Sequence, residues 1–171
     1  IKIYTADAIL RSKLLYGLES AQLIPSVSKR LETFQLKVLR KILRMDTTYV
    51  NRGNTNEKVF KKANDELERE GKTKGITSFE EVYRKMKRKN ACKIIKQPDS
   101  IHHKVTFRDN TFKKWIHKNR RVGQPRKNWT EETIQDIWNI IKTQDNRFRN
   151  TDYNHNNTQM TEAINTFAQN N

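Results

Sequence analysis

Cysteine is nearly absent. Cys92 is the only one in 171 residues, which excludes a disulfide framework or a cysteine-rich zinc site within the chain. Long apolar runs are missing too: none approaches the roughly 18 residues that would span a bilayer, and no secretory signal is visible. Apolar residues make up only 34% of the chain. A core of that composition is thin, and part of the order is expected to depend on a partner. Acid is the scarce charge. The 19 Asp and Glu against 35 Lys and Arg leave a net charge of +16. Such a charge opposes compaction and points to nucleic acid or an anionic surface. Proline and glycine are sparse, at 3 and 5 residues, so helices can run long between few breaks. The length suits one ordinary domain, or one domain with a tail. The chain opens on Ile rather than Met, as a fragment or a processed product would.

What is present is helical periodicity. Ile3, Ala6, Leu10, Leu14 and Leu18 recur at helical spacing and predict a helix from about Lys2 to Gln22, ended by Pro25. Ser26 or Ser28 caps a second helix to about Met45, with Val27, Leu31, Phe34, Val38, Ile42 and Met45 as its stripe. Lys37, Arg40, Lys41 and Arg44 form its remaining face at i, i+3, i+4 and i+7. Asn54 and Glu57 have capping-box spacing and open a short third helix. Gly71 to Thr77 reads as a flexible basic loop, and Ser78 with Glu81 repeats the capping box before a fourth helix. That helix carries seven cations and no acid from Arg84 to Lys96, some of them favoured by the helix dipole alone. Val105-Thr106-Phe107 reads as strand-like, and Asn110 to Ile116 as a helical turn. Thr130, with Glu131 and Glu132, starts a helix whose apolar face is Ile134, Ile137, Trp138 and Ile141. Beyond Thr143 the chain is rich in Asn, Gln, Thr and Asp, with Asn150 to Gln159 a linker and a short helix from Met160 to Ala168.

The expected architecture is therefore all-α: a small helical bundle over residues 1–70, a basic helical extension with an extended Arg/Lys-rich connector over 71–142, and a polar tail over 143–171. The connector is the most informative stretch. From Lys113 to Lys127 it holds seven cations and no acid, and Gly123 and Pro125 argue for extended backbone. Solubilising surfaces usually mix signs, and this run does not.

The familiar catalytic constellations are not assembled. Gly71-Lys72-Thr73 has the ending of a phosphate-binding loop, but the earlier glycine such a loop needs is Glu66 here, and no strand precedes it. His102 and His103 are adjacent and diverge on a helix or a strand. The pairs Glu80-Glu81 and Glu131-Glu132 fall in first turns of helices, where negative charge is favoured anyway. Cys92 has no base beside it in the sequence. No cofactor is expected.

Several stretches together resemble one family. Leu14-Leu15-Tyr16-Gly17-Leu18-Glu19, then Arg30-Leu31-Glu32-Thr33-Phe34 with Leu39-Arg40-Lys41-Ile42-Leu43, then Asn54-Thr55-Asn56-Glu57-Lys58-Val59, are similar to the segment that follows the polymerase palm in non-LTR (LINE-type) retrotransposon reverse transcriptases. Val105-Thr106-Phe107 and Val122-Gly123-Gln124-Pro125-Arg126-Lys127-Asn128-Trp129 resemble its downstream basic signature, usually Gly-Arg-Pro-Arg followed by Trp; Gln124 stands where the first Arg would. The resemblance runs in order over residues 4 to 138. It implies a thumb-like helical region and extension that hold a template–primer duplex or structured RNA. The palm is absent from this stretch, and no adjacent aspartate pair occurs to bind polymerase metals.

The expected function is nucleic-acid binding, RNA favoured over DNA, by a catalytically inactive reverse-transcriptase-derived piece. Its expected setting is a ribonucleoprotein such as an organellar ribosome, among other proteins. The expected phosphate contacts are Lys37, Arg40, Lys41 and Arg44 on the second helix, Arg84, Lys87 and Arg88 on the fourth, and Lys113, Lys114, Arg120, Arg121, Arg126 and Lys127 in the basic run. Trp129 either stacks on an unpaired base or fills a core at a helix start. Three alternatives stand beside this reading: the C-terminal part of an active element enzyme, a helical scaffold for an acidic partner, and a nuclease using His102 or His103.

Overall fold

The computed structural model describes residues 2–113 and 128–171. Among the described residues there are seven α-helices, two 3-10 turns and no strand: α1 Lys2–Leu14, α2 Pro25–Leu43, α3 Asn56–Arg69, α4 Phe79–Ile95, α5 Ile101–Thr106, α6 Trp129–Gln144 and α7 Thr158–Asn170. The all-α expectation is met. The chain divides into two compact units. One holds the residues up to Glu19 with Leu23–Arg84; the other holds Ser20–Gln22 with the residues from Lys85 on. The division falls inside α4 rather than at residue 70.

In the first unit α1, α2 and α3 pack pairwise. Their core is Ile3 from α1, Leu36 and Leu39 from α2, and Val59, Ala63 and Leu67 from α3, with Ile76 from the following loop. α1 stops at Leu14, well before Gln22, because Gly17 turns the chain at φ +72 and a 3-10 turn follows at Leu18–Ser20. α2 needs no serine cap. Ile24 is its extended N-cap and Pro25 supplies a preset φ at the first position, where a missing N–H costs nothing. The cap of α3 is Thr55, whose hydroxyl accepts from the Lys58 N–H at 3.3 Å. Asn54 is instead buried and donates to the Asp46 carbonyl at 3.0 Å. Gly71, at φ +72, closes α3: its N–H and that of Lys72 return to the Glu68 and Leu67 carbonyls at 2.9 Å each.

The loop read as flexible is held. The Asn64 carboxamide accepts from the Ile76 N–H at 2.6 Å and donates to the Ile76 carbonyl at 3.3 Å. The fully enclosed Gln35 donates to the Thr77 carbonyl and accepts from the Phe79 N–H, both at 2.9 Å. Two side-chain amides thus satisfy the backbone of an entering chain that no helix serves. The expected Ser78 cap is present, accepting from the Glu81 N–H at 3.2 Å.

The second unit is built on a larger core: Ala91, Cys92 and Ile95 of α4, Phe107 and Phe112, Ile134, Ile137, Trp138 and Ile141 of α6, Phe148, and Met160, Ile164 and Ala168 of α7. The segment read as a polar tail is thus part of that core. Trp138 is wholly buried; its indole N–H donates to the Thr151 carbonyl at 3.0 Å, and its ring meets Phe148 and Tyr153 at 5.0 and 5.6 Å between centroids. Asn157 caps α7 through the N–H groups of Gln159 and Met160. The cap of α6 is Asn128, which accepts from the Thr130 N–H at 2.9 Å, two residues before the expected start at Thr130. The stretch at Val105 is helical, not strand-like. Ser100 caps α5 through the His103 N–H at 3.1 Å, and the backbone turns extended only at Phe107.

Candidate nucleic-acid interface

Helix phase sorts the cations. Along α4 the buried row is Tyr83, Lys87, Ala91 and Ile95, each four residues from the last. Lys87 therefore points inward at 1% exposure. Its ammonium lies 3.3 Å from Glu132 Oε2, donates to Gln22 Oε1 at 3.1 Å and sits 5.8 Å from the Trp129 ring centroid. Gln22 closes the group with a short hydrogen bond to the same Glu132 oxygen. The expectation that Lys87 contacts phosphate is corrected: an ammonium so enclosed has no path to an external polyanion, and stripping its partners is costly. The opposite face of α4 carries Lys85, Lys89 and Lys93, all exposed, and Lys96 follows, also exposed, just past the helix end. The expected contacts on this helix, Arg84, Lys87 and Arg88, do not include these lysines, although the spacing of Tyr83 and Ile95 in the sequence sets the phase that exposes them.

The other expected cations fall in different places. Arg84 is exposed but holds Glu80 at 2.6 Å, a pairing worth little at a surface. Arg88 is half-buried and lines a groove of about 190 Å³ with Lys85, Lys89, Cys92 and Phe167. Lys113 is half-buried and donates to Asn156 Oδ1 at 3.1 Å. Trp129 is half-buried, packs against the core of the second unit and lies under Lys87. Lys114, Arg120, Arg121, Arg126 and Lys127 lie outside the described residues.

In the first unit Lys37, Lys41 and Arg44 are exposed. Arg40 is not a free fourth member of the face. Its Nη2 donates to the Asn54 carbonyl at 3.1 Å and to Asn56 Oδ1 at 2.9 Å, which fixes the guanidinium against the start of α3. Arg44 sits at φ 50, where the Met45 N–H returns to the Arg40 carbonyl at 2.9 Å. A groove of about 390 Å³ runs beside these residues, lined by Lys37, Arg40, Lys41, Thr47 and Asn56, with Leu36 at its apolar side. None of its lining residues is acidic.

The groups that might have carried catalysis are separated. His103 is buried against Phe107 and Phe112, at 5.1 and 6.4 Å between ring centroids, whereas His102 is exposed. Burial holds the His103 imidazole below its ordinary pKa, with Asp99 opposing. Burial pushes the Cys92 thiol up despite Lys96 and Arg88 nearby, so it is not poised as a thiolate. Among the described residues no three His, Cys, Asp or Glu side chains gather in a way that could hold a metal ion. No described helix is long and apolar enough to cross a membrane.

The fold and this surface define a basic, all-α protein with acid-free cationic faces in both of its units. Compared with known families, with curated proteins and with solved structures, the chain matches none.

Proposed function

We propose that this protein binds nucleic acid, RNA in preference to DNA, through backbone phosphates, and that it does so as a non-catalytic subunit of a ribonucleoprotein, an organellar ribosome being one such setting. The observation that carries the reading is the exposed row of Lys85, Lys89 and Lys93 on one face of α4, continued by Lys96 just past its end, with no acid between Arg84 and Lys96. Four ammonium groups within three turns repel one another unless a polyanion lies across them. The net charge of +16 supports the same reading, as does the resemblance of residues 4 to 138 to the region after a reverse-transcriptase palm. Lysines at a surface act as point charges, so the contacts orient the chain on RNA without reading its bases.

The test is affinity of the purified chain for single-stranded RNA, duplex RNA and DNA as salt is raised from about 50 to 200 mM. A protein neutralising six to ten phosphates loses about 10³ to 10⁵ in affinity over that range. A binding constant flat across it would overturn the reading. Identification of copurifying nucleic acid decides RNA against DNA.

A further inference from the structure

We propose that the groove lined by α2, by Met45 and Thr47 of the loop after it and by Asn56 at the start of α3 is a seat for one phosphate group of the bound nucleic acid. The proposal rests on the nucleic-acid reading above and gives it a defined place in the first unit. Three cations line the groove, Lys37, Arg40 and Lys41, and no carboxylate does. Lys37 and Lys41 stand one turn apart with their side chains exposed, free to swing onto a ligand. Arg40 is different in kind. Its Nη2 is committed to Asn54 and Asn56, which fixes the guanidinium in place beside the groove. A guanidinium already fixed in place loses little freedom when an oxyanion arrives, and its remaining donors have a set direction. Asn56, the first residue of the 14-residue α3, also lines the groove and brings the positive end of that helix to it. The Thr47 side chain adds a neutral hydroxyl donor. The geometry separates this seat from the plain cationic face read from sequence: Arg44 does not line it, and the wall opposite α2 is the start of another helix.

The shared chemistry is a phosphate oxyanion. An internal phosphodiester and a terminal phosphomonoester both supply it, and the ends of the probe tell them apart. The experiment is fluorescence anisotropy of the full chain with an RNA of about 12 nucleotides, bearing either a 5′-hydroxyl or a 5′-phosphate. It compares the wild type, Lys37→Gln/Lys41→Gln, and Lys85→Gln/Lys89→Gln in the second unit. All four substituted side chains are exposed, and circular dichroism checks that both variants stay folded. The expected result is that Lys37→Gln/Lys41→Gln weakens binding by roughly tenfold or more and lowers the salt slope by about one phosphate, a larger loss than Lys85→Gln/Lys89→Gln causes. Equal loss on both RNAs assigns an internal phosphodiester; a 5′-phosphate advantage that vanishes in this variant assigns a terminal one. Wild-type affinity in Lys37→Gln/Lys41→Gln, or equal losses in the two double variants, would overturn the seat and leave the nucleic-acid reading standing. Failure of the wild type to bind either RNA at low salt would overturn both.

Discussion

The Lys87 ammonium and the Glu132 carboxylate lie 3.3 Å apart, with side-chain exposures of 2% and 34%. The pair is unequal. Glu132 can rehydrate if its partner is lost, but Lys87 without Glu132 would be a charge held in the interior near Trp129 and Gln22. Lys87→Met is therefore expected to cost about 1–3 kcal/mol, below the 3–5 of a fully buried broken pair. Glu132→Gln is expected to cost more than Lys87→Met. A double-mutant cycle by urea denaturation measures both. RNA affinity of Lys87→Met should equal that of the wild type, since the ammonium is enclosed.

Arg44 sits at φ 50, a left-handed conformation that costs an L-residue roughly 1–2 kcal/mol. Glycine at the end of α3 solves the same problem at Gly71 without that cost. Arg44→Gly is expected to raise stability by about 0.5–1 kcal/mol once the extra freedom of the unfolded chain is counted. An unchanged or lower urea midpoint would contradict this.

Ile164 is wholly buried in the core of the second unit. Ile164→Ala is expected to cost about 2–5 kcal/mol, and removal of residues 143–171 should abolish cooperative unfolding of that unit. A true polar tail would tolerate both changes with no shift in the thermal midpoint.

His103 carries a pH dependence of defined sign. Its folded pKa is lowered, chiefly by burial, so the unfolded chain takes up the proton first. Stability is fully present above the unfolded value of about 6.5 and declines as pH falls below it, until the folded pKa is reached. Replacing His103 with Phe, which keeps a ring beside Phe107 and Phe112, should flatten that part of the curve in urea titrations at pH 7.5, 6.5 and 5.5. A slope unchanged by the substitution would assign the acid sensitivity to other groups.

Helices came through the sequence well because their signals are local. Ser78 with Glu81 and the stripe of α6 each act within a few residues, whereas α1 ends at Leu14, well before Pro25, which instead opens α2. Caps are displaced by one residue at Thr55 and by two at Asn128, where neighbouring Asn and Thr compete for the same N–H groups. The tail misled for a compositional reason. Phe148, Tyr153, Met160, Ile164 and Ala168 are few among many Asn and Gln, yet enough of them face inward to complete a core. Of the candidate cationic site, the acid-free runs are legible in the sequence; Lys87 looks like a surface cation by residue type alone, and its helix phase on the row of Tyr83, Ala91 and Ile95 turns it inward.

An all-α chain with a large positive excess follows from residue order, because helical periodicity and charge are properties of residue order alone. Which cations reach solvent follows from packing. Lys87 is enclosed because Glu132 and Gln22 come to it from distant parts of the sequence. Arg40 is fixed because the start of α3 folds back onto α2. Charge is carried by single residues, but whether it meets solvent depends on what the rest of the chain packs against it.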